Sequence, residues 1–359
     1  MTRSRFLICF FVVCSSLIIP GHAHQPSPKT HVALFVFGDS LFDAGNNIYI
    51  NTTVCHRANF WPYGETFFKY PTGRASNGRL IPDFIGKYAK LPLIPTYFPS
   101  YNDQFIYGLN FRSRGAGALS ETYRGYLFQA CEKELKQKLR DAGAKTLLSK
   151  AVYLFSIGTN DYIDLLMTNS SVLQLDYSRK QYIGMVISNF TTTIKEIYKI
   201  GGRKFGFTSL GPLGCFPALR AIVPGSSGSC LESASEVGKL HNKALSKALQ
   251  ELESQLTGFQ YAIHDLYNSF MEIINNLSRY GFKEVIVACC GSGRYRGIKS
   301  CGGMRERKEY ELCDNPNEYM FFDSSHPTEK AYRLIAKLMW SGTSHVIGLY
   351  NLKKLIERN

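Results

Sequence analysis

Apolar residues in this chain fall into short unbroken runs rather than single alternating positions. VALFVF (32–37), YGLNF (107–111), AVYLFSI (151–157), KFGFTSL (204–210) and FQYAIHD (259–265) are the clearest. Runs of this length suit strands buried on both faces, as in a parallel sheet covered on two sides. Between them lie stretches with helical spacing. CEKELKQKLRDAG (131–143) is charged and reaches a stop at Gly143, and the stretch 181–202 ends in two glycines. SASEVGKLHNKALSKALQELESQL (233–256) repeats apolar residues at helical intervals, and EKAYRLIAKLMW (329–340) is the last such stretch. This alternation predicts a single α/β domain on a five-stranded parallel sheet. The tracts 45–106 and 284–322 read as long irregular insertions held by cysteines.

The N-terminus breaks the pattern. Arg3 and Arg5 precede the apolar run FLICFFVVCSSLIIP (6–20), and Gly21-His22-Ala23 follows. A basic start, a short apolar stretch and small residues predict a signal peptide, residues 1–23, cut after Ala23. The run is short for a bilayer span of about 20 residues. A transmembrane anchor is therefore the weaker reading, and 24–359 is the expected domain. Secretion is the expected fate, with wall, apoplast and vacuole all open as destinations.

The cysteines agree with that compartment. Of ten, Cys9 and Cys14 lie in the leader, and Cys55, Cys131, Cys215, Cys230, Cys289, Cys290, Cys301 and Cys313 remain. An even set in an oxidising compartment predicts disulfides throughout, with many pairings open. Cys215–Cys230, closing a loop rich in Gly, Ser and Pro, is the best single guess. A zinc site at Cys289, Cys290, Cys301 and Cys313 is disfavoured, because the spacing lacks a C-x-x-C pair. Asn51, Asn169, Asn189 and Asn276 each open an N-x-S/T sequon and are candidate glycosylation sites.

Composition narrows the class. With 45% hydrophobic and 19% charged residues, the chain is globular rather than disordered or fibrous. The formal charge is +14, two lower once Arg3 and Arg5 leave. Such a charge favours polyanionic surroundings such as acidic wall polymers or anionic lipid. No nucleic-acid motif is present, and a leader argues against that partner. The run Gly291-Ser-Gly-Arg-Tyr-Arg-Gly297 lies among cysteines without a helix after it, so it is no dinucleotide loop. No cofactor and no metal are expected.

Candidate chemistry gathers where strands end. In an open α/β sheet, sites lie beyond the carboxyl ends of the strands. The first strand runs into Gly38-Asp39-Ser40, the second into Arg112-Ser113-Arg114-Gly115-Ala116-Gly117, and the third into Gly158-Thr159-Asn160-Asp161. Ser40 is either a nucleophile or a helix cap. Its base would be His326, the one histidine with an acid in a tight local arrangement, Asp323 three residues before it. On a turn, that spacing lets the carboxylate reach Nδ1–H and leaves Nε2 for the serine proton. The competing reading is that Asp323 and His326 cap the helix after Pro327. Asp39, Asp43, Asn46, Asn47 and Asp161 are assigned to turns and caps.

Four blocks in order, GDSL (38–41) with FDAGNN, the glycine tract of NFRSRGAGAL, GTND (158–161) and DSSHPTE (323–329), resemble the SGNH or GDSL-type hydrolases. The likeness extends over essentially the whole chain after the leader and is strongest to secreted plant GDSL esterase/lipases. It implies a three-layer α/β/α, flavodoxin-like domain. Carried across, it makes Ser40 the nucleophile, Asp323 and His326 its acid and base, and the Ser40 N–H, Gly115 N–H and Asn160 amide the oxyanion hole. The implied function is a serine carboxylester hydrolase acting on lipid acyl esters or on esters of wall or specialised metabolites. An acyltransferase and a non-catalytic binding protein are the alternatives. One departure from the pattern is the pair Arg112 and Arg114 flanking Gly115. Solvent-pointing side chains are the expectation there; binding of an acidic substrate group and narrowing of the acyl site are the alternatives.

Overall fold

The computed structural model describes residues 32–98, 103–111, 114–119, 122–168, 175–222, 227–343 and 350–358. The segment Val32–Asn359 forms one compact unit. The predicted leader, Arg112 and Asn169 lie outside the described residues, as does the side chain of Cys55.

Four apolar runs are the expected strands: β1 Leu34–Gly38, β2 Val152–Ser156, β3 Lys204–Thr208 and β4 Gln260–His264. All pair parallel, in chain order. The fifth run does not form a full strand. It touches β1 through one parallel bridge, with Val36 N–H donating to Leu109 O and Phe111 N–H to Val36 O, both at 2.9 Å. A 3-10 turn over Asp103–Tyr107 precedes it. The side-chain amide of Asn110 donates to the Phe42 carbonyl at 2.8 Å, tying this edge to the loop after β1. The ladder stops after one rung, so among the described residues the parallel sheet has four strands rather than the five expected.

Register explains why aromatic residues dominate the strands. Phe35 pairs with Tyr153 and Tyr153 with Phe205; Phe37 pairs with Phe155 and Phe155 with Phe207. Side chains in register lie side by side on one face. The result is two stacked rows, with ring centroids 5.5 and 5.4 Å apart in the first and 4.9 and 5.4 Å in the second. Each such pair adds about 0.5–1.5 kcal/mol beyond the area it buries.

Helices cover the sheet. Helix α1 is Ile81–Tyr88, α2 Thr122–Lys150, α3 Thr159–Met167, α4 Asp176–Lys199 and α5 Pro217–Ala221. Helix α6 is Glu232–Gln255, α7 Leu266–Asn275, α8 Glu329–Ser341 and α9 Leu352–Glu357. Helix α4 packs against α2 and α6, and its Phe190 stands edge-on to Phe155 and Phe207. Helix α8 packs against α1 and α9, and Leu352 of α9 rests on β3 at Gly206. Two helical layers thus enclose the parallel sheet.

Among the described residues, three disulfides are present. Cys215–Cys230 is the pairing expected from sequence; Cys289–Cys313 and Cys290–Cys301 pair the four cysteines at which zinc was disfavoured. Full pairing does not hold, because Cys131 is a buried free thiol. It lies within the aromatic core, among the side chains that α2 packs on the sheet. The last two bridges sit in a small second core with Ala58, Tyr63 and Phe322, which joins the two insertions.

Beneath the turn after β2, Nδ1 of His241 in α6 is hydrogen-bonded to the Tyr162 hydroxyl, 2.8 Å away. A Cβ at Gly158, whose φ is +119°, would meet the ring at 2.9 Å, so this turn needs glycine on both counts. Burial pushes the His241 imidazole down to about 3.

Two measurements test this framework. Phe155→Ala empties the centre of the second aromatic row and is expected to cost about 3–5 kcal/mol in denaturant unfolding. His241 binds a proton more weakly folded than unfolded, so its stabilising contribution is present above the unfolded value and lost as pH falls toward 3. Between about pH 6 and 4 this group alone contributes roughly 1.4 kcal/mol of stability per unit of rising pH. Denaturant midpoints of wild type and His241→Gln across that range should show a shallower slope in the variant.

Candidate active site

Strand ends bring the predicted residues together. Ser40 follows β1 on a turn whose first residue, Asp39, is tied to β2 by its N–H donating to Ser156 O at 3.0 Å. The Asp39 carboxylate accepts the Leu41 N–H at 3.1 Å, closing the turn. Asp43 likewise accepts the N–H groups of Gly45 and Asn46. The assignment of these acids to turns holds.

The serine–histidine–aspartate geometry is complete. Ser40 Oγ lies 2.8 Å from His326 Nε2, and His326 Nδ1 lies 2.6 Å from Asp323 Oδ1. The same Asp323 oxygen accepts the backbone N–H groups of Ser325 and His326, each at 2.9 Å. A carboxylate so placed fixes both the turn and the imidazole tautomer. Helix capping belongs elsewhere: Thr328 is the N-cap of α8, its hydroxyl accepting the Ala331 N–H. That frees Asp323 and His326 from the capping role weighed for them.

A cavity of about 100 Å³ opens over the serine. Ser40, Gly115, Asn160 and His326 line it, with Leu41, Ile163 and Phe216 as apolar walls and His56 and Lys299 among the polar ones. One N–H of the Asn160 amide donates to Ala116 O at 2.9 Å, which sets the amide plane. Asp161 accepts the Ala118 and Leu119 N–H groups at 2.7 and 3.1 Å and so ties the glycine tract to α3. Burial raises the Asp161 carboxyl above its ordinary value against the pull of these bonds. Gly115 adopts φ +86°, and a Cβ there would lie 2.6 Å from His56 Nδ1. No other residue fits this approach without displacing His56 or the loop.

Arg114 corrects the sequence reading. Its side chain does not point to solvent; the residue is 5% exposed. The guanidinium reaches Asp323 Oδ2 at 3.4 Å and His326 Nδ1 at 3.5 Å. Its backbone is clamped by Asn47, whose amide oxygen accepts the Arg114 N–H at 2.9 Å and whose Nδ2 donates to Arg114 O at 3.0 Å. Tyr63, fully buried in the first insertion, donates its hydroxyl to Asp323 Oδ2 at 2.7 Å. Arg305, in the second insertion, donates to the Tyr63 oxygen at 3.2 Å and to Cys301 O at 3.1 Å. Tyr63 and Arg305 have no local signal in the sequence, since each reaches the site from a different irregular tract.

Electrostatics follow from these neighbours. Burial works to raise the Asp323 carboxyl, but the opposed charges of His326, Arg114 and Arg305 outweigh it and hold the group ionised far below the usual carboxylate range. His326 is lowered from its ordinary value, first by burial and then by Arg114 and Lys299 working against Asp323. A neutral imidazole facing a serine hydroxyl is the form a general base needs.

Among the described residues, no group of three or more His, Cys, Asp or Glu is placed to hold a metal ion, and no helix is long and apolar enough to cross a membrane. Of the sequon residues, Asn51, Asn189 and Asn276 are exposed.

The model of the GDSL-like Lipase/Acylhydrolase family matches residues 34–339. GDSL esterase/lipase 1 of Arabidopsis thaliana is 50% identical over 91% of this chain and 90% of its own length. GDSL esterase/lipase 2 of the same plant is 46% identical over 100% of both chains. A GDSL lipase of Tanacetum cinerariifolium is 46% identical over 98% of this chain and 94% of its own. With the four blocks at one sheet edge and a family match spanning nearly all of Val32–Asn359, the chain belongs to the GDSL-like lipase/acylhydrolase family.

Proposed function

We propose that this protein is a carboxylic ester hydrolase that works through an acyl-enzyme on Ser40. The observation that carries the reading is the continuous contact Ser40 Oγ–His326 Nε2–His326 Nδ1–Asp323 Oδ1 at the mouth of a cavity. His326 Nε2 takes the Ser40 proton as Oγ attacks the ester carbonyl. The carbonyl oxygen becomes an oxyanion facing the Ser40 and Gly115 N–H groups and the second N–H of the Asn160 amide. Collapse expels the alcohol, which receives its proton from Nε2. Water then repeats the sequence on the acyl-enzyme, releasing the acid and restoring Ser40. Asp323 stays ionised throughout and stabilises the imidazolium as it forms.

The apolar walls Leu41, Ile163 and Phe216 suit an acyl group, which supports esters of lipids or of wall and specialised metabolites. The leader-like sequence 1–23, the three disulfides and the exposed sequon residues support a secreted glycoprotein. Of the Arg112 and Arg114 departure that favoured a binding protein without chemistry, Arg114 pairs with Asp323 behind the histidine, which supports the catalytic reading.

Turnover of p-nitrophenyl esters of graded chain length tests the mechanism. Ser40→Ala is expected to lose at least about 10⁴-fold in kcat, and Asn160→Ala about 10²–10³-fold. Equal rates in wild type and Ser40→Ala would overturn it. An added alcohol that diverts most of the acyl group from water would reassign the chain to acyl transfer.

A further inference from the structure

Two buried guanidinium groups stand behind one buried carboxylate. Arg114 is 5% and Arg305 6% exposed, and Asp323 is 2% exposed. A single buried cation would neutralise Asp323, so the second needs a reason. The contacts supply one. Arg114 Nη1 and Arg305 Nη2 both donate to the Arg57 carbonyl, at 3.1 and 3.2 Å. Arg305 also donates to Tyr63 Oη, and Tyr63 donates to Asp323 Oδ2. Both guanidinium carbons stand within 6 Å of the centre of the Tyr63 ring, Arg114 at 5.8 Å and Arg305 at 5.7 Å. Asp323 Oδ2, the oxygen facing away from His326, thus receives Tyr63 and Arg114, while Oδ1 faces the imidazole.

Resting on the acyl-enzyme reading above, we propose that Arg114, with Tyr63 braced by Arg305, is a positioning residue for the Asp323–His326 pair. Occupying Oδ2 stops the carboxylate from rotating and reserves Oδ1 for Nδ1. The same guanidinium lies 3.5 Å from His326 Nδ1, so it also resists protonation of the imidazole. The charged and titratable groups facing His326 are Asp323, Arg114 and Lys299, with Asp39, His56, Tyr63 and Arg305 in the surrounding shell. Only the carboxylates favour the imidazolium; the cations together keep the base neutral as pH falls. The design trades basicity for a base that works in mildly acidic surroundings.

That trade gives the device a signature. Removing the Arg114 charge loosens Asp323 and makes His326 more basic. Activity on the pH plateau should fall while the acid limb of kcat/KM moves to higher pH, two changes that a merely structural residue would not couple. Steady-state kinetics of the full-length protein with a p-nitrophenyl ester, run across pH, provide the test. Arg114→Met is expected to lose roughly 10- to 100-fold in kcat with KM changed less than about twofold. Its acid limb should shift upward, and Arg114→Lys should restore part of both. Tyr63→Phe, which keeps the ring and deletes the donor, should move the limb the same way and stands in if Arg114→Met does not fold. Unchanged kcat and acid limb would overturn the proposal. So would a loss of kcat with an unmoved limb and no rescue by lysine, or a loss confined to KM. Ser40→Ala in the same assay separates the two levels. If it is dead and the arginine variants behave as wild type, only this inference falls; if it is active, the acyl-enzyme reading falls with it.

Discussion

A carboxylate that must remain ionised inside the protein sets the terms for the rest of the site. Burying such a group without partners costs several kcal/mol, and removing one partner of a buried ion pair costs about 3–5 kcal/mol. Asp323 meets this demand with two backbone N–H groups, the His326 ring, the Tyr63 hydroxyl and the Arg114 guanidinium. No local stretch of chain could supply all of these. The donors come from the loop beyond Asn110, from the first insertion and from the turn before α8, so the carboxylate joins three distant parts of the sequence.

This gives the irregular insertions a purpose. The 45–106 tract contributes Asn47, which holds the Arg114 backbone, and Tyr63, which holds Asp323. The 284–322 tract contributes Arg305, anchored on the Cys301 carbonyl beside the Cys290–Cys301 bridge. Cys289–Cys313 closes the same tract, and both bridges pack in a small core with Tyr63 and Phe322. Covalent links therefore sit directly behind the layer that positions the acid. The central sheet does the coarser work of bringing Ser40, Asn160 and the glycine tract to one edge, and the aromatic rows pack its strands side by side.

Much of this was legible in the chain. Four continuous apolar runs are the four strands, because strands covered on both faces carry no polar alternation. Long helices were visible where apolar residues repeat at helical spacing, as in 233–256. Shorter ones such as Pro217–Ala221 and Leu352–Glu357 were not, since five or six residues show too little of a period. The run 107–111 misled by one degree: its composition suits a strand, but its hydrogen bonds go partly to Pro95 and Tyr97 and to the loop after β1. Cys131 misled for another reason. Parity of the cysteine count speaks to pairing only when each thiol can meet another, and this one is enclosed in the aromatic core.

What the sequence determined by itself was local: the strand runs, the order of the four blocks, the Asp323–His326 spacing and the Ser40 turn. These depend on neighbours within a few residues, where backbone geometry leaves few choices. The tertiary structure alone decided where Arg114 points and which residues surround Asp323. An arginine beside a glycine has the same sequence signal whether it faces water or a carboxylate. The difference lies in Asp323, Tyr63 and Arg57, which reach it from 209, 51 and 57 positions away.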